Sequence, residues 1–251
     1  MAHLIKDCAE DADCRAAFPK LKEELDAVIA RLEASPVTLK GINPETGQVQ
    51  PFTMGRGVFA ERLRLMLFAP PAASLVPLLI HRAYLGDFKP FIRAALPQAQ
   101  AIYQTLSVGM YFTVTCSEGT PLITERGIRR ETADTFLGDY RIRVHLGACR
   151  EWPRGVVTRG FTRPVVSDAP VLILSNEADP ASPRAFGSDV ARHLPNGRQV
   201  TIPLVGHNYF SPCVTGLATD FIAKGSARNL DTACLGALRH PPFVLELPKE
   251  A

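Results

Sequence analysis

The clearest pattern in the chain is a pair of apolar runs separated by a helical segment in its C-terminal third. Residues 171–174 are continuously apolar, which is typical of a strand covered on both faces. Phe186, Val190 and Leu194 then recur at four-residue steps, as on one side of a helix, and residues 199–205 form the second run. This order predicts a βαβ unit with two parallel strands.

The preceding part of the chain is mainly helical in pattern. Residues 1–15 show no periodic apolar spacing and predict a loop, whereas an amphipathic helix is predicted from Phe18 to Leu32. Residues 58–106 also show helical spacing, and their prolines are expected to divide them into short helices. These prolines are at positions 70, 71, 77, 90 and 97.

Two stretches between the helical patterns predict strands. Residues 36–40 and 48–54 flank a turn sequence at 43–47, so a β-hairpin is predicted there. Residues 110–114 (Met-Tyr-Phe-Thr-Val) are rich in aromatic and β-branched residues and predict one more strand. Further helices are predicted over residues 121–146 and 210–223, with a connector after residue 149.

An acid and a histidine follow the two strands of the predicted βαβ unit. Asp179 lies in the turn after the first run, and His207 follows the second run within Val-Gly-His-Asn at 205–208. Because the carboxyl ends of parallel strands meet at one edge of a sheet, both side chains are expected in one crevice. A Ser-His-Asp relay needs an acid that orients a histidine in this way. Taken singly, each residue also has a structural interpretation, Asp179 as a turn-forming residue and His207 as a capping residue.

Composition limits the classes of function. The chain has 251 residues, of which 46% are hydrophobic, enough for a sizeable core. The formal net charge is +3 and the basic residues are scattered, with Arg126, Arg129 and Arg130 the densest group, so no nucleic-acid partner is expected. No run approaches the roughly 18 apolar residues of a membrane span, so no membrane partner is expected. The N-terminal residues show no signal-peptide pattern, and the localisation stays open.

Six cysteines fall into three pairs of sequence neighbours, although fifteen disulfide connectivities are possible in principle. Buried free thiols are a second interpretation. Metal ligation is a third, but no C-x-x-C, H-x-H or H-E-x-x-H spacing occurs, and we predict no metal site and no cofactor. Disulfides would indicate descent from an exported protein. The neighbouring pairs are Cys8 and Cys14, Cys116 and Cys149, and Cys213 and Cys234.

The acid turn and the histidine segment resemble those of the α/β-hydrolases, and within them the tripeptidyl-aminopeptidase-like and proline-iminopeptidase-like enzymes. The resembling motifs are Pro170-Val-Leu-Ile-Leu with Asp179-Pro-Ala-Ser-Pro183, Gly206-His207 and Leu230-Asp-Thr-Ala-Cys234. Three further motifs resemble the cysteine framework of the secreted members of this family, and this resemblance favours disulfides. They are Cys-x5-Cys at 8–14, Cys-Ser-Glu at 116–118 and Cys-x2-Trp at 149–152.

The resemblance covers most of the chain and implies an α/β fold. Residues 1–150 would form a mainly helical, lid-like region with a hairpin. Residues 151–251 would form a C-terminal α/β-hydrolase remnant, a part of the parallel sheet with flanking helices that carries the acid and the histidine.

The nucleophile of that family lies on a G-x-S-x-G turn after a strand and precedes both the acid and the histidine. No such motif occurs in the chain, and the nearest fragment, Thr-Leu-Ser-Val-Gly at 105–109, lacks the first glycine. The resemblance therefore implies a truncated α/β-hydrolase fold without its nucleophile half. Ser117, Cys116 and Ser211 are candidate substitute nucleophiles, each with a structural alternative as a hydroxyl cap or a disulfide half. Glu118 resembles the lid carboxylate that holds a substrate's free α-amino group, with a surface carboxylate as the alternative.

These features predict a hydrolase of the α/β-hydrolase type that acts on ester or small amide or peptide substrates. His207 would be the general base oriented by Asp179, with an atypical or missing nucleophile. The alternatives are an inactive C-terminal fragment that needs a separate N-terminal part, and a non-catalytic, lid-type binding module. A partial sheet exposes an edge and apolar helix faces, so a homodimer is expected.

Overall fold

The computed structural model describes residues 1–42, 47–207 and 211–247 and divides the chain into two compact units. The helical unit comprises Phe18–Met66 and Pro77–Phe161. The α/β unit comprises Met1–Ala17, Leu67–Val76 and Thr162–Ala251. We expected one boundary near residue 150. In the structure, the α/β unit also includes two segments from the N-terminal part of the chain.

Helices and two small sheets make up the described part of the chain. The helices are α1 (Ala2–Glu10), α2 (Ala12–Ala17), α3 (Leu21–Ala34), α4 (Arg56–Met66), α5 (Pro70–Ala73), α6 (Val76–Tyr84), α7 (Lys89–Thr105), α8 (Val108–Val114), α9 (Glu125–Thr132), α10 (Tyr140–Glu151), α11 (Arg184–Ala191) and α12 (Pro212–Lys224). The strands are β1 (Val37–Ile42), β2 (Val49–Met54), β3 (Val171–Ala178) and β4 (Gly197–Val205). A π-helix spans Thr115–Gly119, and 3-10 turns span Thr120–Leu122 and Ala233–Ala237.

The core of the helical unit forms where amphipathic helices bury their apolar faces. Helix α3 is the predicted amphipathic helix, and its residues at helical spacing, such as Leu25 and Val28, are buried. Phe59 of α4 is fully buried and lies with its ring centroid 4.6 Å from that of Phe91 and 6.3 Å from that of Phe88. Aromatic pairs at these distances contribute beyond their buried area.

A buried ion cluster joins α4 to α10 within the helical unit. The Glu61 carboxylate accepts hydrogen bonds of 2.8 and 2.9 Å from Arg64, and one of 2.8 Å from Arg141. Burial alone would raise the pKa of Glu61, but the two guanidinium groups hold it below its ordinary value. The carboxylate is therefore charged at neutral pH and compensates Arg64, which is itself buried.

The predicted hairpin is confirmed. Strands β1 and β2 pair antiparallel, with Val37 opposite Met54 and Ile42 opposite Val49. The predicted turn at 43–47 lies, apart from Gly47, outside the described residues. The predicted helices over residues 58–106 and 121–146 are also present as α4 to α7 and as α9 and α10.

The predicted βαβ unit is confirmed as well. Strands β3 and β4 pair in parallel and are connected through α11. Val200, Ile202 and Leu204 alternate along β4, so they share one face, and they are buried together with Val214 and Leu217 of α12. This cluster forms the core of the α/β unit. It fixes the position of the C-terminal end of β4, after which the histidine follows.

The opposite face of the βαβ unit is polar. Gln199 donates a hydrogen bond of 3.0 Å to Ser175 Oγ and accepts one of 2.7 Å from Ser188 of α11. The apolar residues of α11 consequently point outward, with Phe186 62% and Val190 52% exposed. Small and polar side chains occupy the contact between α11 and the sheet, and of the three residues at four-residue steps only Leu194 is buried.

Strand β3 is also less covered than its apolar sequence predicts. Most of its residues are only half-buried, and Leu174 is 37% exposed. Within the described residues the sheet contains only β3 and β4, so each strand has one edge without a neighbouring strand. The prediction of a strand covered on both faces is therefore wrong.

Three further local predictions are wrong. Residues 1–15 form α1 and most of α2 and not a loop, with Leu4 and Cys8 buried one helical turn apart. Residues 110–114 lie in α8 and not in a strand, because the Phe112 ring packs against Trp152, 5.3 Å between centroids, and tertiary packing overrides β-propensity. Pro97 lies inside α7 and does not end it.

Three disulfides connect the six cysteines, which confirms the interpretation as disulfides and leaves no free thiol. The bonds join sequence neighbours in all three cases. Among the residues that the structure describes, no helix combines the length and the apolar character that a membrane span requires. The disulfides are Cys8–Cys14, Cys116–Cys149 and Cys213–Cys234.

The contact between α11 and the sheet can be tested with a pair of glycines. A Cβ on Gly187 would lie 2.5 Å from Gln199 Nε2 and 2.6 Å from Ser175 Oγ, whereas one on Gly216 of α12 meets nothing within 4 Å. We expect Gly187→Ala to lower the free energy of unfolding by about 1–2 kcal/mol through overpacking. Gly216→Ala should raise it by about 0.5–1 kcal/mol. Urea unfolding measures both, and equal effects would contradict the described packing.

Candidate active site

The acid of the candidate site is fixed by the turn that follows β3. Asp179 comes directly after the last residue of β3, and its Oδ1 accepts hydrogen bonds from the backbone N–H groups of Ala181 and Ser182, at 2.7 and 2.8 Å. The Asp179 side chain is only 7% exposed. Its carboxylate is thus held rigidly at the start of the connection to α11.

The histidine approaches this carboxylate from the end of the neighbouring strand. His207 Nδ1 lies 2.9 Å from Asp179 Oδ2 and 3.0 Å from Oδ1. A carboxylate accepts hydrogen bonds, so Nδ1 carries the proton and the neutral ring presents Nε2 as an acceptor. The side chain is 30% exposed, and no hydrogen-bond partner of Nε2 is found in the described part of the chain.

Backbone contacts set the position of the histidine. The buried Asn176 side chain donates a 2.7 Å hydrogen bond to the carbonyl of Gly206. The His207 N–H donates to the Phe68 carbonyl at 3.0 Å, and the Phe68 ring meets the imidazole edge to face, 5.0 Å between centroids. Gly206 has a φ of +147°, a conformation that favours glycine, and a Cβ there would lie 3.3 Å from the Phe68 carbonyl oxygen.

Sequence reasoning missed both of these positioning residues. Asn176 carried a signal, since it is a polar residue two positions after the apolar run that predicts the strand. Phe68 carried none, because its contact with His207 joins positions 139 residues apart, the difference between 207 and 68. Asn208, which belongs to the histidine motif, lies outside the described residues.

The candidate substitute nucleophiles all have structural roles. Cys116 is bonded to Cys149 and has no thiol, so it is not a nucleophile in this structure. Ser117 Oγ donates to the Thr113 carbonyl at 2.6 Å and accepts from Gly155 N–H at 2.8 Å. Ser211 is the N-cap of α12, where its Oγ accepts from the Val214 N–H at 3.2 Å. The fragment around Ser107 connects two helices, α7 and α8, and does not form a strand-to-helix turn.

Glu118 belongs to the helical unit, whereas Asp179 and His207 belong to the α/β unit. Glu118 is half-buried on the π-helix of residues 115–119. No hydrogen bond or ion pair of its carboxylate is found among the described residues. A carboxylate in this state is available to a cationic ligand.

A histidine that sequence reasoning did not single out lies beside the disulfide of the helical unit. His145 is four residues before Cys149 on α10, so the two share one face of the helix. Its ring stacks on Phe112 with centroids 5.4 Å apart, and its Nδ1 lies 3.4 Å from the Tyr111 hydroxyl. Burial, helped by Arg141, lowers the pKa of His145, so the ring is neutral at pH 7.

A polar cleft of about 200 Å³ lies elsewhere in the α/β unit. Neither Asp179 nor His207 lines it. Burial raises the pKa of Asp7, one of its lining residues, and His240 donates from Nδ1 to the Pro241 carbonyl at 2.6 Å. The cleft is lined by His3, Lys6, Asp7, Glu177, Ala178, Pro203, Leu204 and His240.

Comparison with known proteins places the acid and the histidine in one recognised segment. Residues 134–234 match the family model described as TAP-like protein, and this match includes β3, α11, β4, Asp179 and His207. It supports a relationship to the α/β-hydrolase superfamily. No curated protein matches the chain, and no solved structure matches it either.

The role of Asn176 in holding the histidine segment can be tested against a matched asparagine. Asn176→Ala leaves the buried Gly206 carbonyl without its donor, so we expect a loss of about 1–3 kcal/mol in the free energy of unfolding. Asn196 donates an equally short bond of 2.7 Å to the Asp168 carbonyl, but in an exposed position. Asn196→Ala should cost less than about 1 kcal/mol. Chemical denaturation gives both values, and an Asn176→Ala cost no larger than the control would refute the positioning role.

Proposed function

We propose that this protein is a hydrolase of the α/β-hydrolase type that acts on ester or small amide or peptide substrates. The observation that carries the proposal is the Asp179–His207 pair, in which both carboxylate oxygens lie within 3.0 Å of Nδ1. This contact fixes the tautomer in which Nε2 accepts a proton. A general base needs this tautomer, and a carboxylate that holds Nδ1 supplies it.

The chemistry follows from Nε2, for which the described residues provide no hydrogen-bond partner. His207 Nε2 takes a proton from the attacking hydroxyl as the new bond to the substrate carbonyl carbon forms. The imidazolium, stabilised by Asp179, then returns the proton to the leaving oxygen or nitrogen. General-base catalysis of this kind supplies about 10²–10⁴-fold, so a site acting through water should favour activated esters over peptides.

Two sources of the nucleophile fit this proposal. Water attacks directly if the chain acts alone, since the candidate serines are engaged in hydrogen bonds and Cys116 is in a disulfide. A serine on a separate polypeptide is the second source, and the exposed apolar surface of α11 and β3 favours it. In either case Glu118, if it takes the role that the resemblance implies, would bind the free amino group of a peptide substrate.

Alanine substitutions at the pair test the proposed mechanism. With p-nitrophenyl acetate as substrate, His207→Ala should lower kcat/KM by about 10²–10⁴-fold. Asp179→Ala should lower it by at least about tenfold, because the ring loses its fixed tautomer. His193→Ala and Asp231→Ala are matched controls, since Asp231 also accepts a backbone N–H, that of Ala233 at 2.9 Å, but has no histidine partner.

Unchanged turnover in both site variants would exclude this site. A fluorophosphonate probe separates the two nucleophile sources, because it labels an activated serine and not a water site. If the chain alone hydrolyses the ester without being labelled, water is the nucleophile. If ester hydrolysis and labelling both appear only when a serine-bearing polypeptide is added, with the label on that polypeptide, the second source is correct.

We also propose that the chain forms a homodimer through one apolar surface. This surface, the α11–β3 face, is defined by Phe186 and Val190 on the outer side of α11, which are 62% and 52% exposed, and by the edge of β3 that faces away from β4. Among the described residues no strand pairs with this edge, so its backbone groups are available for a further strand. Exposed apolar side chains and an open strand edge are both typical of association surfaces.

Mass determination by light scattering tests the dimer. At micromolar concentration the chain should show twice the 27.4 kDa of one copy. The double variant Phe186→Ser/Val190→Ser should be a monomer, because it removes the apolar contacts on α11. Ile222→Ser is the control, since Ile222 is 77% exposed on α12 and lies outside the proposed surface. This variant should remain dimeric. A monomeric wild type, or a dimer that survives the double substitution, overturns the proposal.

A further inference from the structure

Three potential metal ligands meet in the helical unit. Cys116, His145 and Cys149 place two sulfur atoms and an imidazole nitrogen within 4.8 Å of one another. Both cysteines are buried and the histidine is half-buried. His145 and Cys149 project from one face of α10, and Cys116 comes from the π-helix of residues 115–119. Such π-helical turns are frequent at functional sites.

In the structure the two sulfur atoms are joined as a disulfide, so neither is a thiolate. We propose that the reduced chain binds Zn²⁺ through Cys116, His145 and Cys149, and that disulfide formation abolishes this site. The site is thus a property of the thiol form, whether newly synthesised or produced by a dithiol reductant. It is independent of the hydrolase proposal.

The chemistry balances without a further partner. A dithiol transfers two electrons to the Cys116–Cys149 bond, which gives two cysteine thiols and the cyclic disulfide of the reductant. Zn²⁺ then displaces one proton from each thiol, so two protons are released for each ion bound. The neutral imidazole of His145 contributes a lone pair and releases no proton. Two thiolates compensate the charge of the ion.

Both the donor set and the spacing favour zinc. Thiolate and imidazole ligands suit Zn²⁺, whereas Ca²⁺ and Mg²⁺ prefer oxygen. Tetrahedral Zn–S bonds of about 2.3 Å and Zn–N bonds of about 2.0–2.1 Å place neighbouring donors about 3.5–3.8 Å apart. Side-chain rotation after reduction can bring the three donors to this spacing. Three protein ligands leave a fourth position for water.

The histidine is already held in a fixed orientation. Its ring packs against two aromatic rings: that of Tyr111, whose centroid is 5.3 Å away, and that of Phe112, on which it stacks at an interplanar angle of 21°. The Tyr111 hydroxyl in turn accepts a 3.3 Å hydrogen bond from Arg141. Outer contacts that orient a histidine are a general feature of metal sites.

Cobalt spectroscopy tests the site on the full chain. Co²⁺ replaces Zn²⁺ in tetrahedral sites and shows thiolate charge-transfer absorption. The dithiothreitol-reduced chain, freed of reductant, should bind one Co²⁺ with this absorption, and the oxidised chain should bind none. Since loss of an outer-shell partner already costs about 10–100-fold in affinity, His145→Ala should weaken binding by at least about tenfold.

Matched variants assign the absorption to this cluster. Cys8→Ser/Cys14→Ser and Cys213→Ser/Cys234→Ser remove the other disulfides and should keep the signal, whereas Cys116→Ser/Cys149→Ser should abolish it. A second measurement needs no variant. The reduced wild type is alkylated with and without Zn²⁺, and the modified cysteines are identified by mass spectrometry. Zn²⁺ should protect Cys116 and Cys149 from alkylation at least about tenfold more than the other four cysteines. No cobalt signal in the reduced chain, or equal protection of all six cysteines, overturns the proposal.

Discussion

The parallel pairing of β3 and β4 is the constraint on which the candidate site depends. Ala178 pairs with Val205, so Asp179 is one residue beyond the pair on β3 and His207 two residues beyond it on β4. The register is irregular at this point, because Asn176 pairs with Ile202 while Ala178 pairs with Val205. Two steps along β3 therefore match three along β4. Such irregularities re-aim side chains next to active sites, and here the Asn176 side chain satisfies the displaced Gly206 carbonyl.

Much of this region could be predicted from the sequence because its signals are local. A short apolar run, a helix-length spacer and a second apolar run predict parallel strands whose carboxyl ends coincide. Asp179 and His207 then follow from their places in the turns after the two runs. The extra residue in β4 and the Phe68 contact could not be predicted, since both depend on packing that no periodicity encodes. The turn sequence predicted the position of Asp179. It did not predict the hydrogen bonds that hold the Asp179 carboxylate.

The wrong predictions share a physical cause. Residues 110–114 have strand-like composition, yet the rings of Phe112, Trp152 and His145 pack together with centroids 5.3–5.4 Å apart, and this packing decides for a helix. On α11 the apolar spacing identifies one side of the helix, but Gly187 and Ser188, and not Phe186 and Val190, lie against Gln199. Apolar periodicity identifies a face that avoids water. It does not identify whether the same chain or another one covers that face.

The direction of strand pairing distinguishes the two partners that could cover the α11–β3 face. Strands that are related by a two-fold axis and pair edge to edge run antiparallel. In a homodimer joined at β3, the Asp179 ends of the two β3 strands would therefore point in opposite directions. A parallel strand from a different polypeptide would instead end beside Asp179, where nucleophiles of open α/β sheets lie. The proposed homodimer would thus cover the apolar surface, and water would be the nucleophile of the proposed reaction.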